Sequence, residues 1–210
     1  YKKIIYLNKN DLVIDIGSND GNLLSNFKTN HKVLGVTPEK IGKIAIKKGI
    51  PTIIDYFNEK VSSKIIKKHG KAKVITATNV FAHIDNINSI VRSILKTLKT
   101  DGIFISESHY LLPLIQTVQY DTIYHEHLRY YSLESLNFLF KKHNLEIIDT
   151  KEIPTHGGSI RVYAARKGMY KISTNVKKQF KKEKKYLNNK SFTKFRKNVV
   201  TSKVNLFNII

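Results

Sequence analysis

The chain has 210 residues, with 37 Lys+Arg against 16 Asp+Glu, a formal charge of +21, and no cysteine. A hydrophobic fraction of 41% and an aromatic fraction of 10% exclude a disordered chain, and no run approaches the roughly 18 uncharged apolar residues of a spanning helix. Without cysteine there are no disulfides, thiolate zinc sites or cysteine nucleophiles.

Short apolar runs alternate with helical stretches, which predicts a largely parallel sheet covered by helices on both faces. Residues 11–16 (D-L-V-I-D-I) form a buried-strand run that ends in Gly17-Ser18-Asn19-Asp20-Gly21, and a helix opens over 22–27. Gly17 permits a sharp turn and close approach to a ligand. Asn19 stands where a dinucleotide fingerprint has its second glycine, and Asn tolerates positive φ. So glycine-poor a loop suits the amino-acid moiety of a cofactor better than a pyrophosphate. The bland alternative is a tight turn with no ligand.

A second strand at 32–36 leads to Thr37, Pro38, Glu39 and a helix through about residue 48. Nucleotide-binding sheets usually place a ribose-binding acid here. Thr37 carries no charge, and Glu39 is the substitute. The third strand, 51–54, runs into Asp55, Tyr56 and Phe57, an acceptor and aromatic wall for an adenine or ordinary core and turn residues. A helix follows over 59–68. The fourth strand, 73–78, ends in Asn79-Val80-Phe81-Ala82-His83, on the side where open α/β sheets put ligands. His83 can be read as a functional residue or as a capping or core histidine. A helix over 87–98, a turn at Asp101-Gly102 and a fifth strand at 103–106 complete this half.

Beyond the fifth strand comes Tyr120-Asp121-Thr122-Ile123-Tyr124-His125-Glu126-His127, then Arg129-Tyr130-Tyr131. So many titratable and phenolic groups are costly to bury without partners. Three readings stand: a metal pair of His125 and His127 with Glu107 or His109, a structural hydrogen-bond cluster, or an acid–base cluster built on His127. No third ligand lies at a recognisable metal-site spacing, so no metal is expected. A helix over 132–143 and strands at 145–153 and 159–166 follow. The strands flank Pro154 and Thr155-His156-Gly157-Gly158, either a turn or a substrate contact, and predict an antiparallel edge hairpin.

From 175 to 210 the chain is lysine-dense and helical in pattern. Lysines are also scattered from Lys2 to Lys203, so the charge reads as a solvated lysine-rich surface and nucleic acid is not the expected partner. An anionic substrate would still gain from the positive field. The expected domains are 1–170, a cofactor-binding domain, and 171–210, a basic helical segment leading to a further C-terminal domain. Opening on Tyr1, with nothing like a signal peptide, the sequence is expected to be a segment of a longer, cytoplasmic protein.

Five motifs in order, D-I-G-S-N-D-G-N-L-L (15–24), N-V-F-A-H-I (79–84), E-S-H-Y-L (107–111), D-T-I-Y-H-E-H-L-R-Y-Y-S-L (121–133) and T-H-G-G-S-I-R-V (155–162), resemble the sugar C-methyltransferases that act on nucleotide-linked 4-keto-deoxyhexoses. The resemblance implies a Rossmann-like class I methyltransferase fold with a seven-stranded, mostly parallel sheet. It implies S-adenosylmethionine (SAM) at the glycine loop, so Asp15, Gly17, Ser18, Asn19, Gly21, Thr37, Asp55, Tyr56 and Asn79 are the expected cofactor residues. It also implies His127 as the base, with Glu126, Tyr124 and His83 around a nucleotide-linked keto-sugar. Zinc is expected only in an N-terminal domain of such proteins, outside this sequence.

Overall fold

In the computed structural model, which describes residues 4–209, β1 (Leu12–Ile16) is buried along its whole length. Its residues alternate between two cores: Leu12, Ile14 and Ile16 enter one face, Val13 the other. Such a strand needs cover on both sides. α1 (Asn22–Ser25), α2 (Gly42–Lys47) and the segment holding Ile5 and Leu7 cover the second face, which includes Leu24 and Ala45. α3 (Glu59–His69) and α4 (Ile87–Thr97) bring Val61, Ile65, Val91 and Ile94 to the first. Asn58 and Asn86 cap these two helices, their side chains accepting from Val61 N and Ser89 N at 2.9 and 3.1 Å.

β2 (Lys32–Thr37), β3 (Thr52–Ile54), β4 (Ala72–Thr78) and β5 (Leu98–His109) run parallel to β1. After β5 come α5 (Leu111–Gln116), α6 (Leu133–Lys142), β6 (Leu145–Ile153) and β7 (Ser159–Arg166). The order across the sheet is β3-β2-β1-β4-β5-β7-β6. β7 is antiparallel to both neighbours, so the expected hairpin inserts its return strand beside β5 and leaves β6 at the edge. Pairing of His109 with Ser159 sets the 155–158 turn against the end of β5. α7 (Thr174–Tyr186) and α8 (Asn189–Phe207) follow; α7 buries Val176 and Glu183, and α8 buries nothing. Among the described residues no helix is long and apolar enough to cross a membrane.

Three local expectations change. The helix read over 22–27 stops at Ser25, because the Asn26 side-chain amide takes the Asn22 and Leu23 carbonyls at 3.3 and 3.2 Å. The helix running to 48 is only the six residues of α2. The Asp101-Gly102 turn is a bulge inside one long β5: register jumps from Ala72↔Leu98 to Val74↔Ile103, and Asp101 is held by Lys73 and by Tyr170, whose hydroxyl donates to the Asp101 carbonyl at 2.6 Å.

Candidate active site

At the C-terminal ends of β1, β2 and β4 lies a cleft of about 1030 Å³. Asp15, Gly17, Ser18, Asn19, Thr37, Tyr56 and Asn79 all line it. Gly17 sits at φ 78°, and a side chain there would run into Val80. Asn19 and Asn79, at φ 46° and 54°, hold the left-handed conformation that Asn tolerates. The Gly17 and Ser18 amides are both spent on the Val36 carbonyl, at 2.8 and 3.2 Å. Gly21 and Asp55 are not in the cleft. Gly21 packs against Ala45 and Ile50, and the Asp55 carboxylate accepts from Tyr56 N at 2.8 Å. Phe57 reaches the cleft edge but is 6% exposed and belongs to the core.

The charge of the cleft is its most telling property. Among the described residues its lining contains Asp15, Asp20, Glu39 and Asp85 and no Lys or Arg, in a chain with 37 of them, and only Asp20 has a cationic partner, Lys48 at 2.7 Å. Such a cleft repels phosphates and favours a cation. Asp15 is 4% exposed and bonded only by the Thr76 hydroxyl, at 2.6 Å. Burial pushes its pKa up to about 7, against which the Thr76 bond pulls down. Ser18 Oγ is buried without a hydrogen-bond partner among the described residues. A buried acid lacking a counter-cation fits the ammonium of SAM, whereas the Ser18 hydroxyl is sealed against Gly35 and does not reach the cleft. Asp15 and Asn19 would hold its amino-acid end, with Thr37 and Glu39 at the ribose and Tyr56 over the base.

A second cavity of about 530 Å³ adjoins the first, and Asn79 and His83 line both. Its other walls are Ala82, Ser108, His109, Asp121, Thr122, Tyr124, His127 and His156. Three chain segments converge here because β7 lies beside β5 and because residues 120–131 dock on the 3-10 turn Phe81–His83. That docking uses Leu128 N to the Ala82 carbonyl at 2.9 Å, Tyr131 OH to the Phe81 carbonyl at 3.2 Å, and Arg129 to the Ile84 carbonyl. The His127 ring lies 5.1 Å from that of His83, 6.4 Å from His109 and 4.6 Å from Tyr124. Burial, then the neighbouring His83 and His109, holds its pKa below the usual histidine value. The ring is therefore neutral and basic at pH 7. Its Nε2 is 3.5 Å from the Tyr124 hydroxyl, and its Nδ1 is buried with no well-formed hydrogen bond among the described residues, the Thr122 backbone lying nearby.

His83 Nδ1 is 3.0 Å from the Glu126 backbone carbonyl. A carbonyl can only accept, so this nitrogen carries the proton and a neutral His83 presents Nε2 as an acceptor. The Glu126 carboxylate is exposed, makes no hydrogen bond to His127 and acts on it only through its charge. Among the described residues no group of three His, Asp or Glu is placed to hold a metal. In the sequence His109 stood only as a possible metal ligand within E-S-H-Y-L, and His156 only in a turn that could contact substrate; Asp85 and Gln119 carried no signal and are brought in by strand pairing and loop docking.

Residues 3–150 match the family model of the methyltransferase domain, and residues 154–210 that of the C-methyltransferase C-terminal domain. The chain is 39% identical over 163 residues to the C-methyltransferase NovU of Streptomyces niveus, a match covering 77% of this chain and 39% of that protein. Two solved structures share the fold. A SAM-dependent methyltransferase of Clostridium acetobutylicum has a TM-score of 0.60, at 18% identity over 79% of this chain and 86% of that one. One of Anabaena variabilis has a TM-score of 0.57, at 16% identity over 75% and 77%. The fold is that of the class I SAM-dependent methyltransferases, and the chain belongs to the methyltransferase domain family.

Proposed function

We propose that the chain binds SAM in the acidic cleft and methylates a carbon next to a ketone on a nucleotide-linked deoxy-sugar held in the histidine-lined cavity. The observation that carries this is the meeting of the two cavities at Asn79 and His83, one suited to a cation and the other rich in acid–base groups. Bound SAM supplies an electrophilic methyl group on a sulfonium. His127, neutral at pH 7, takes the proton from the α carbon. Tyr124 donates its hydroxyl hydrogen bond to the enolate oxygen as charge develops there. His83, its Nδ1 bonded to the loop, positions the residues 126–128 backbone beside both. The likeness to a C-methyltransferase and the resemblance of the Y-H-E-H and T-H-G-G-S blocks favour carbon as the acceptor atom. The +21 charge favours an anionic, nucleotide-linked molecule.

The test is calorimetric titration with SAM, then turnover with a keto-sugar nucleotide deuterated at the α carbon. We expect micromolar SAM binding, loss of deuterium, and a new carbon–methyl bond stable to acid, all but the first abolished in His127→Ala. A methyl found on oxygen or nitrogen, with deuterium retained, would instead make the enzyme an O- or N-methyltransferase.

A further inference from the structure

Gln119 is the centre of a hydrogen-bond chain with only one consistent set of proton positions. The Thr117 hydroxyl donates to the Pro113 carbonyl at 2.9 Å, so its oxygen must accept from the Gln119 amide at 2.5 Å. The other amide hydrogen goes to the Gly157 carbonyl at 2.7 Å, which can only accept. Both Nε2 hydrogens are thereby used, and Gln119 Oε1 must face His109 Nε2 at 3.0 Å. An amide oxygen cannot donate, so His109 Nε2 carries the proton. Its Nδ1 is left with a lone pair whenever the ring is neutral.

The backbone around Gln119 is built to hold this arrangement. Val118 takes φ 58°, a conformation β-branched residues rarely adopt, and Gln119 N bonds the Leu114 carbonyl at 3.0 Å. Gly157, at φ 72°, lies so close that a side chain there would displace the Gln119 amide. His109 lines the second cavity, and its Nδ1 has no partner among the described residues. Unlike His127 Nδ1, that nitrogen is not sealed from the cavity.

We propose that Gln119 is a positioning residue that holds His109 in its Nε2–H form, so that His109 Nδ1 accepts a hydrogen bond from a hydroxyl or N–H group of the molecule being methylated. The second half rests on the methyl-transfer reading of the cavity; the first does not. Mobile substrate hydroxyls are recognised by an acceptor whose lone pair cannot switch position, and a histidine free to exchange tautomers would discriminate less.

The experiment is ring-nitrogen NMR of the histidine-labelled chain without ligand. In the unmodified chain His109 should be protonated at Nε2, with an Hε2 proton protected from exchange. Gln119→Leu should lose that protection, while Thr117→Val, which leaves the Gly157 bond and Gln119 Oε1 facing Nε2, should retain it. Unchanged ring signals of His31 and His143 report that each variant is folded. In turnover, Gln119→Leu should raise the acceptor KM about tenfold, the worth of one hydrogen bond to a partly buried group, and leave the SAM KM alone. An Nδ1–H ring in the unmodified chain, protection surviving in Gln119→Leu, or a change confined to the SAM KM would each overturn the proposal. Because the tautomer is read without SAM, failure of SAM binding would sink the functional reading alone.

Discussion

Asp15 couples stability to function through one proton. Its folded pKa of about 7 stands above the ordinary aspartate value of 3.8, so between these values the folded chain holds a proton that the unfolded chain has released. Stability therefore falls as pH rises through about 4 to 7 and levels above, with a total of at most about 4 kcal/mol at ~1.4 kcal/mol per unit. A cation in the cleft reverses the preference and expels the proton. SAM affinity should then climb as pH rises towards 7 and level above it. Asp15→Asn keeps the acceptor for Thr76 and removes the charge. We expect it to flatten the pH dependence of both thermal stability and SAM affinity, to stabilise the free chain at pH 8, and to weaken SAM binding by about 2 kcal/mol, the scale of a charge-assisted hydrogen bond. Melting curves and titrations at pH 5.5, 7 and 8.5 would show it, and an unaltered pH slope in the variant would place the proton elsewhere.

At the scale of elements, α7 is joined to the sheet by a carboxylate. Glu183 is 3% exposed and accepts from the Tyr110 hydroxyl at 2.8 Å, from Leu133 N, and from Glu134 N at 3.1 Å. Leu133 and Glu134 open α6, whose first amides have no partner within the helix. The carboxylate answers them and the helix dipole together. Ser132 completes the cap through Ser135 N at 3.0 Å. Removing the acceptor strands two buried donors and one half-buried one, so Glu183→Ala should cost about 3 kcal/mol and lower the melting temperature by roughly 10 °C. A shift under about 2 °C would mean water replaces it without loss. This tie was not legible in the sequence, where Glu183 sits among lysines and reads as a solvated face. β1, β2 and β4 were legible, because a strand buried on both faces shows as a largely apolar run, and so was Gly17, whose conformation disfavours other residues. Which of Asp55, Tyr56 and Phe57 faces the cleft was not legible, because a three-residue β3 does not define which face follows it. Gln119 and His109 meet only through strand order and a strained turn, neither of which leaves a periodic trace.

The whole molecule sets two fields against each other. Four of the sixteen acidic residues line the first cleft, while the rest of the surface carries the excess of lysine that makes the total +21. With Asp15 partly protonated near pH 7 and Asp20 paired to Lys48, it is Glu39 and Asp85 that set a negative local charge in the cleft against the positive charge of the whole chain. SAM, with one net positive charge at pH 7, is repelled at a distance and attracted on arrival; a nucleotide-linked acceptor is attracted from the start. Salt separates the two, since the screening length falls from roughly 30 Å at 0.01 M to roughly 10 Å at 0.1 M and so removes the long-range part while leaving contacts of a few ångströms largely intact. Raising the salt from 0.01 to 0.15 M should therefore speed SAM association severalfold without slowing its dissociation. The same change should lower kcat/KM for an anionic acceptor by a similar factor. Stopped-flow association at four salt concentrations measures the first, and initial rates at limiting acceptor the second. If SAM association instead slows as salt rises, the cleft carboxylates dominate its approach as well as its binding, and the lysine surface is then too diffuse to steer either ligand.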